Sequence, residues 1–252
     1  MNICVFGDSI AKGVVYSEEK DRYIFSRNSF LDLISGNTGI VFRNYAKFGC
    51  TTVKGKAIIE KHLDELASYD YTFLEFGGND CDLDWKAASD HPDIPQTGQV
   101  SLDDFAHNYK EIIEMVRESG GTPVLMSLPP LSPGKFFSWV TRGLNEFNVM
   151  SFLKNDKMNI YRWQKDYSDM IFEIGDETDT PVLDIRRPFL EAHDQSELIC
   201  IDGMHPNEDG HRLIADFLTD EWVGLAKKSS NILGWTELLP FDFEPAGLSY
   251  LR

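Results

Sequence analysis

Short, mostly apolar runs punctuate the chain at intervals that leave room for a helix between each pair: Ile3 to Phe6, Ile40 to Phe42, Tyr71 to Phe76, Pro123 to Leu128 and Pro181 to Ile185. Runs of this length without polar alternation fit strands covered on both faces. Between them, apolar residues return at helical spacing. Phe105, Tyr109, Ile112, Ile113 and Val116 form one such face, opened by Ser101-Leu102-Asp103-Asp104 and stopped by Gly120-Gly121. Leu213, Ile214, Phe217, Leu218 and Trp222 form another, beginning after His205-Pro206-Asn207, where proline and asparagine suit a helix start. Strands alternating with helices predict an α/β fold, a parallel five-stranded sheet between two helical layers, because right-handed crossovers place helices on both faces. Ligands of such sheets bind beyond the carboxyl ends of the strands.

Two stretches, Cys81 to Val100 and Leu131 to Asn155, exceed ordinary loop lengths and are expected to carry function or extra helices. One domain is expected over residues 1–226. The tail over 227–252, with Trp235, Phe241, Phe243 and Tyr250, is too aromatic for a free linker and is expected to pack on the same domain. With 42% hydrophobic residues in 252, the chain can bury a full core. Its 24 basic and 41 acidic residues give a net charge of −17, which repels phosphate backbones and anionic lipid, so neither nucleic acid nor a membrane is an expected partner. No apolar stretch has the length of a membrane span and no leader pattern precedes the first strand, so a cytoplasmic location is expected. Nothing in the pattern bears on oligomeric state. Cys4, Cys50, Cys81 and Cys200 form no paired spacing, and they are expected as reduced, packed thiols with no metal site among them.

The chemistry concentrates just past the strand ends. Gly7-Asp8-Ser9 follows the first strand on a glycine-led turn, Gly49 follows the second, Gly77-Gly78-Asn79-Asp80 the third, and Asp202 and His205 occupy the loop before the last helix. Each segment taken singly has a duller reading, Ser9 as a helix cap or Asn79-Asp80 as a turn. Together they resemble the SGNH (GDSL) hydrolase family, whose four blocks here read GDSIAKG, NYAKFGCTT, GGND and DGMHP in order. Ile10 stands where the family's name has leucine. The resemblance implies the family's three-layer α/β/α sandwich with a flavodoxin-like sheet. It also implies Ser9 as nucleophile, His205 as general base and Asp202 as the carboxylate that orients it, with the amides of Ser9 and Gly49 and the Asn79 side chain as oxyanion hole.

The activity so implied is that of a serine esterase that needs no cofactor. A short acyl ester, such as an acetyl group on an oligosaccharide, is the expected substrate, with lysophospholipid or thioester hydrolysis or a non-catalytic binding module as alternatives. Asp8, Trp85, Phe136 and Trp139 are candidates for substrate contact, the aromatic ones because rings stack on sugars and line acyl pockets. His211 lies in the last helix beside Arg212 and is expected on the surface; His62, His91, His107 and His193 are expected to be solvated. The run Asp80-Cys81-Asp82-Leu83-Asp84 opens like a calcium loop, but Trp85 and His91 stand where glycine and a bidentate acid belong. Gly7 to Gly13 lacks the Gly-Lys-Ser/Thr ending of a phosphate loop, and no Gly-x-Ser-x-Gly elbow occurs.

Overall fold

The structure, a computed structural model, describes residues 1–233, with side chains to residue 220. β1 (Asn2–Gly7) leads into the Ser9 turn, and the chain then forms an antiparallel hairpin, β2 (Val14–Ser17) and β3 (Arg22–Phe25). Next come α1 (Phe30–Thr38), β4 (Val41–Asn44), α2 (Thr52–Ile59), the short α3 (Leu63–Leu66) and β5 (Tyr71–Glu75). α4 (Trp85–Asp90) interrupts the first long loop, and α5 (Leu102–Glu118) and β6 (Pro123–Met126) complete a crossover. α6 (Pro133–Val140) and α7 (Glu146–Phe152) occupy the second long loop. α8 (Met158–Glu177), β7 (Val182–Leu183), α9 (Arg187–Glu191) and α10 (Glu208–Leu233) finish the described chain.

All five expected strands form, each within a few residues of its apolar run, and they pair in parallel in the order β4-β1-β5-β6-β7. This is the flavodoxin-like arrangement. Alternate residues of each strand feed opposite faces. Cys4, Phe6, Leu74 and Leu125 pack with Ile112, Tyr109 and Ile171 of α5 and α8, whereas Ile3, Val5, Phe73 and Met126 pack with Phe30, Ile34, Ile214 and Leu218 of α1 and α10. α5 starts where its sequence predicts: the Ser101 hydroxyl accepts from the Asp104 amide, a cap that contributes about 1 kcal/mol. The second long loop is helical because it buries a core of its own, with Phe136, Phe137, Val149 and Leu153 packed together with Ile160 of α8, and Trp85 of the first long loop packs against it.

Two histidines depart from expectation. His211 is fully buried between α10 and α1, its ring stacked on Phe30 with centroids 6.0 Å apart, and the Phe30 amide donates to its Nδ1 at 3.4 Å. Burial, then the neighbouring His205, pushes its pKa down to about 4, so it sits there as a neutral ring. His62 is half-buried; it stacks on Tyr45 at 4.0 Å and bonds to Glu65 at 2.5 Å. The four cysteines are buried free thiols. α10 continues to Leu233, and the aromatic residues of the expected tail, from Trp235 onward, lie outside the described residues. Among the described residues no helix is long and apolar enough to cross a membrane.

Candidate active site

Parallel pairing of β1 with β5 sets Gly7 opposite Glu75, and the chain turns sharply there. The turn demands glycine at position 7, where a Cβ would lie 2.7 Å from the Glu75 carbonyl oxygen and 2.9 Å from Ala11 Cβ. The Asp8 amide donates to that carbonyl at 3.1 Å, and the Val14 amide closes the turn onto the Ser9 carbonyl at 2.9 Å. Ser9 is thereby lifted to the rim of the sheet with 7% of its surface exposed.

The second element is the Cys200–Pro206 loop, tied off by a bridge between Ile199 and Pro206 and by the Cys200 amide donating to the His205 carbonyl at 2.8 Å. Within it Asp202 is fully buried. Its Oδ1 accepts from the amides of Met204 (3.0 Å) and His205 (3.2 Å), and its Oδ2 lies 2.6 Å from His205 Nδ1. Burial acts to raise the Asp202 pKa, but the hydrogen bond and charge of His205, with the two amides, outweigh it and hold the carboxyl below its usual range. An ionised carboxylate only accepts, so Nδ1 carries the ring proton. Nε2, 2.8 Å from Ser9 Oγ, is left to accept from the hydroxyl. Residues 196 positions apart thus meet in one continuous hydrogen-bonded line.

Gly49 adopts φ +69°, a left-handed conformation natural to glycine, and its loop is fixed by Thr51, which caps α2. Asp80 locks that loop to the turn after β5, its carboxylate accepting from the Thr52 amide at 2.9 Å and from the Thr52 hydroxyl at 2.5 Å. Burial raises Asp80 to about 6 despite those bonds. Asn79 is half-buried beside Ser9, and its Nδ2 donates to Asp8 Oδ2 at 3.0 Å. One Nδ2 hydrogen is therefore spoken for, and the other is free to point into the site.

A cavity of about 830 Å³ opens from Ser9, Asn79 and His205 toward α8. Trp85 and Phe136, edge to face at 5.6 Å, form part of its wall with Leu131, Phe152, Ile160 and Trp163. Phe136 meets both of its possible descriptions, since it is 5% exposed within the upper core and also borders the cavity. Trp139 does not border it. That ring packs edge-on against Tyr16 at 4.7 Å and carries the Arg142 guanidinium at 3.7 Å, so it braces the hairpin rather than a substrate. Asp8 borders the cavity beside Ser9, but it is 1% exposed and its carboxylate is occupied by the Ile10 amide at 2.9 Å and by Asn79.

Two aromatic residues not anticipated from the sequence flank the imidazole. Tyr23, from β3, lies 5.2 Å from the His205 ring, and Phe48 stacks on it at 6.2 Å with planes 12° apart. Burial, then the Asp202 charge, holds the Tyr23 phenol protonated far up the scale. Two short β-branched and aromatic runs, Val14-Val15-Tyr16 and Tyr23-Ile24-Phe25, separated by the polar stretch Ser17 to Arg22, are the available signal for the hairpin. Among the described residues no group of three or more His, Cys, Asp or Glu side chains is arranged to hold a metal ion.

Residues 5–213 match the GDSL-like lipase/acylhydrolase family. Among solved structures, the lipase/acylhydrolase from Enterococcus faecalis superposes with a TM-score of 0.61 at 19% identity, over 89% of this chain and 96% of that one. A catalytic mutant of an acetylxylan esterase from Geobacillus stearothermophilus gives 0.59 at 18% identity, over 87% and 93%. The psychrotrophic esterase EstA from a Pseudoalteromonas species gives 0.56 at 15% identity, over 90% and 98%. At those identities the likeness is one of fold. No curated protein matches the chain in sequence.

Proposed function

Because the chain belongs to the GDSL-like lipase/acylhydrolase family and is an ester-cleaving hydrolase of that kind, we propose that it works through Ser9, His205 and Asp202 by way of an acyl-enzyme. The observation that carries this reading is the unbroken line from Asp202 Oδ2 through both imidazole nitrogens to Ser9 Oγ, at 2.6 and 2.8 Å. Nε2 takes the serine proton as Oγ attacks the ester carbonyl and returns it to the departing alcohol; water then repeats the sequence to release the acid. Asp202 keeps the ring in the accepting tautomer and stabilises its charged form. The amides of Ser9 and Gly49 and the free Nδ2 hydrogen of Asn79 receive the oxyanion, and removing one such donor costs on the order of a hundredfold in rate.

An acetyl group occupies little of an 830 Å³ cavity, so the bulk of the substrate lies on the other side of the ester bond. Aromatic faces at Trp85 and Phe136 together with the polar side chains Asp93, Gln96, Asn159 and Arg162 suit an oligosaccharide, the aromatic rings under sugar faces and the polar groups at hydroxyls. We accordingly favour acetylated carbohydrate. The aliphatic stretch at Leu83, Leu131 and Ile160 supports a second reading, in which an acyl chain of several carbons occupies the same space. A series of p-nitrophenyl esters from acetate to decanoate, assayed beside acetylated xylo- and manno-oligosaccharides, separates the two. Carbohydrate deacetylation with kcat/KM falling along the ester series supports the first reading; kcat/KM climbing with chain length replaces it by the second. Turnover unchanged in Ser9→Ala would remove the mechanism altogether.

A further inference from the structure

Directly beneath the Ser9 turn lie two carboxyl groups that the reaction just outlined does not use. Glu75, at the end of β5, is fully buried, and Asp8 nearly so. Their protein contacts are to neutral donors: Glu75 Oε2 accepts from the amides of Asp8 (3.3 Å) and Ala11 (3.1 Å), and Asp8 accepts from the Ile10 amide (2.9 Å) and Asn79 Nδ2 (3.0 Å). The two carboxyl groups lie at the same turn, since one amide that Glu75 Oε2 holds is that of Asp8 itself. Space has been cleared for them, since a Cβ on Gly7 would lie 3.0 Å from Glu75 Oε2 and one on Gly78 3.0 Å from Asp8 Oδ2. Yet Glu75 Oε1 is buried with no hydrogen-bond partner. Two carboxylates have only acceptors to offer each other; a proton on one makes a donor, fills the vacancy and removes a like-charge pair.

Resting on the catalytic roles proposed above for Ser9 and Asn79, we propose that Glu75 carries a proton that it donates to the Asp8 carboxylate, and that this one-proton clasp positions both the nucleophile turn and the oxyanion amide. Glu75 holds the turn through the Asp8 and Ala11 amides. Asp8, kept anionic, turns one Asn79 Nδ2 hydrogen away from the cavity and so aims the other at the site. Burial first, and then the charge of Asp8, pushes Glu75 well above the usual carboxylate range, in keeping with a retained proton. The titratable groups around the pair are Cys50 before α2, Asp80 after β5 and Tyr109 of α5, with His205 on the Asp8 side; burial raises Asp8 too, while the Ile10 amide, the His205 charge and Asn79 act to keep it ionised. Both carboxyl groups are positioning residues, since neither reaches the reacting atoms.

The clasp opens when alkaline pH removes its proton, leaving two buried negative charges side by side. Glu75→Gln replaces O–H by N–H and keeps the acceptor, so it should retain kcat within several-fold of the parent at neutral pH and lose the alkaline decline. Asp8→Asn sets an amide donor against Asn79 Nδ2 and should lower kcat by about a hundredfold, with KM changed far less. Infrared titration of the wild-type enzyme should show a protonated carboxyl band that persists past the titration of Asp80, disappears at alkaline pH, and is missing from Glu75→Gln. That measurement needs no variant to fold in the wild-type arm, and it reads the proton whether or not Ser9 is the nucleophile. No such band in the wild type, an alkaline decline preserved in Glu75→Gln, or Asp8→Asn raising KM with kcat intact would each overturn the proposal.

Discussion

Lowering the pH from 7 to 5 should weaken the fold through a single histidine that does not border the cavity. His211 is buried as a neutral ring with its pKa down at about 4, against 6.5 for a free histidine. Because the folded value is the lower one, the unfolded chain binds the extra proton. The stability His211 contributes is complete above about pH 6.5, falls as pH drops through the interval, and is gone below about 4. The difference corresponds to about 3 kcal/mol in all, of which about 2 kcal/mol is lost by pH 5. Asp80 acts in the opposite sense over the same window, since its folded pKa is raised to about 6 and it favours the fold as it gains a proton. The wild-type curve alone therefore does not isolate His211. A comparison with His211→Asn does, because Asn Oδ1 can take the place of Nδ1 as acceptor for the Phe30 amide and carries no titrating group. Urea unfolding at pH 7 and pH 5 should find the variant less stable at pH 7, through lost packing, with the deficit shrinking by about 2 kcal/mol at pH 5. A deficit equal at both pH values would refute the assignment of a buried, neutral His211.

Gly203→Ala should abolish turnover and lower the urea midpoint. Gly203 has φ +75°, and an added Cβ would stand 2.2 Å from the Phe136 amide nitrogen, a backbone clash that drives the Asp202–His205 loop off α6; wild-type kcat in that variant would contradict it. Trp85→Ala should raise KM several-fold for bulky esters while leaving p-nitrophenyl acetate nearly unaffected, measured by steady-state kinetics on both. Tyr23→Phe removes the phenol beside Asp202 but keeps the ring against His205. A kcat reduction of a few-fold with little change in KM is expected, and KM rising at constant kcat would instead make Tyr23 a substrate contact.

The sheet, its helical layers and the residues that converge at its rim were legible because each rests on a local signal. Apolar runs mark buried strands, and a serine, an asparagine and an aspartate–histidine pair lie just beyond strand ends or in one loop. What was not legible depends on contacts between distant segments. Asp8 reads as a polar residue beside a nucleophile, and only the pairing of Gly7 with Glu75 reveals that its carboxylate is held under the turn. Trp139 reads as a pocket aromatic because its partners, Tyr16 and Tyr23, belong to a hairpin that strand-and-crossover counting passes over. His211 was legible in principle: with Ile214, Ala215 and Leu218 it keeps the spacing of one buried helix face. Its neighbour Arg212 is charged and exposed, and adjacency to it hides that face in the sequence.

The hydrogen-bonded line at the rim joins the start of the chain to a loop almost two hundred residues later. On the mechanism proposed above, translation therefore delivers the nucleophile and the oxyanion amide first and the base last. A ribosome-bound chain that has emerged only through β7 holds Ser9, Gly49 and Asn79 with nothing to accept the serine proton. On that mechanism ester hydrolysis begins only when the final crossover docks, so the onset of activity during synthesis or refolding would mark the completion of the fold rather than any earlier stage of it.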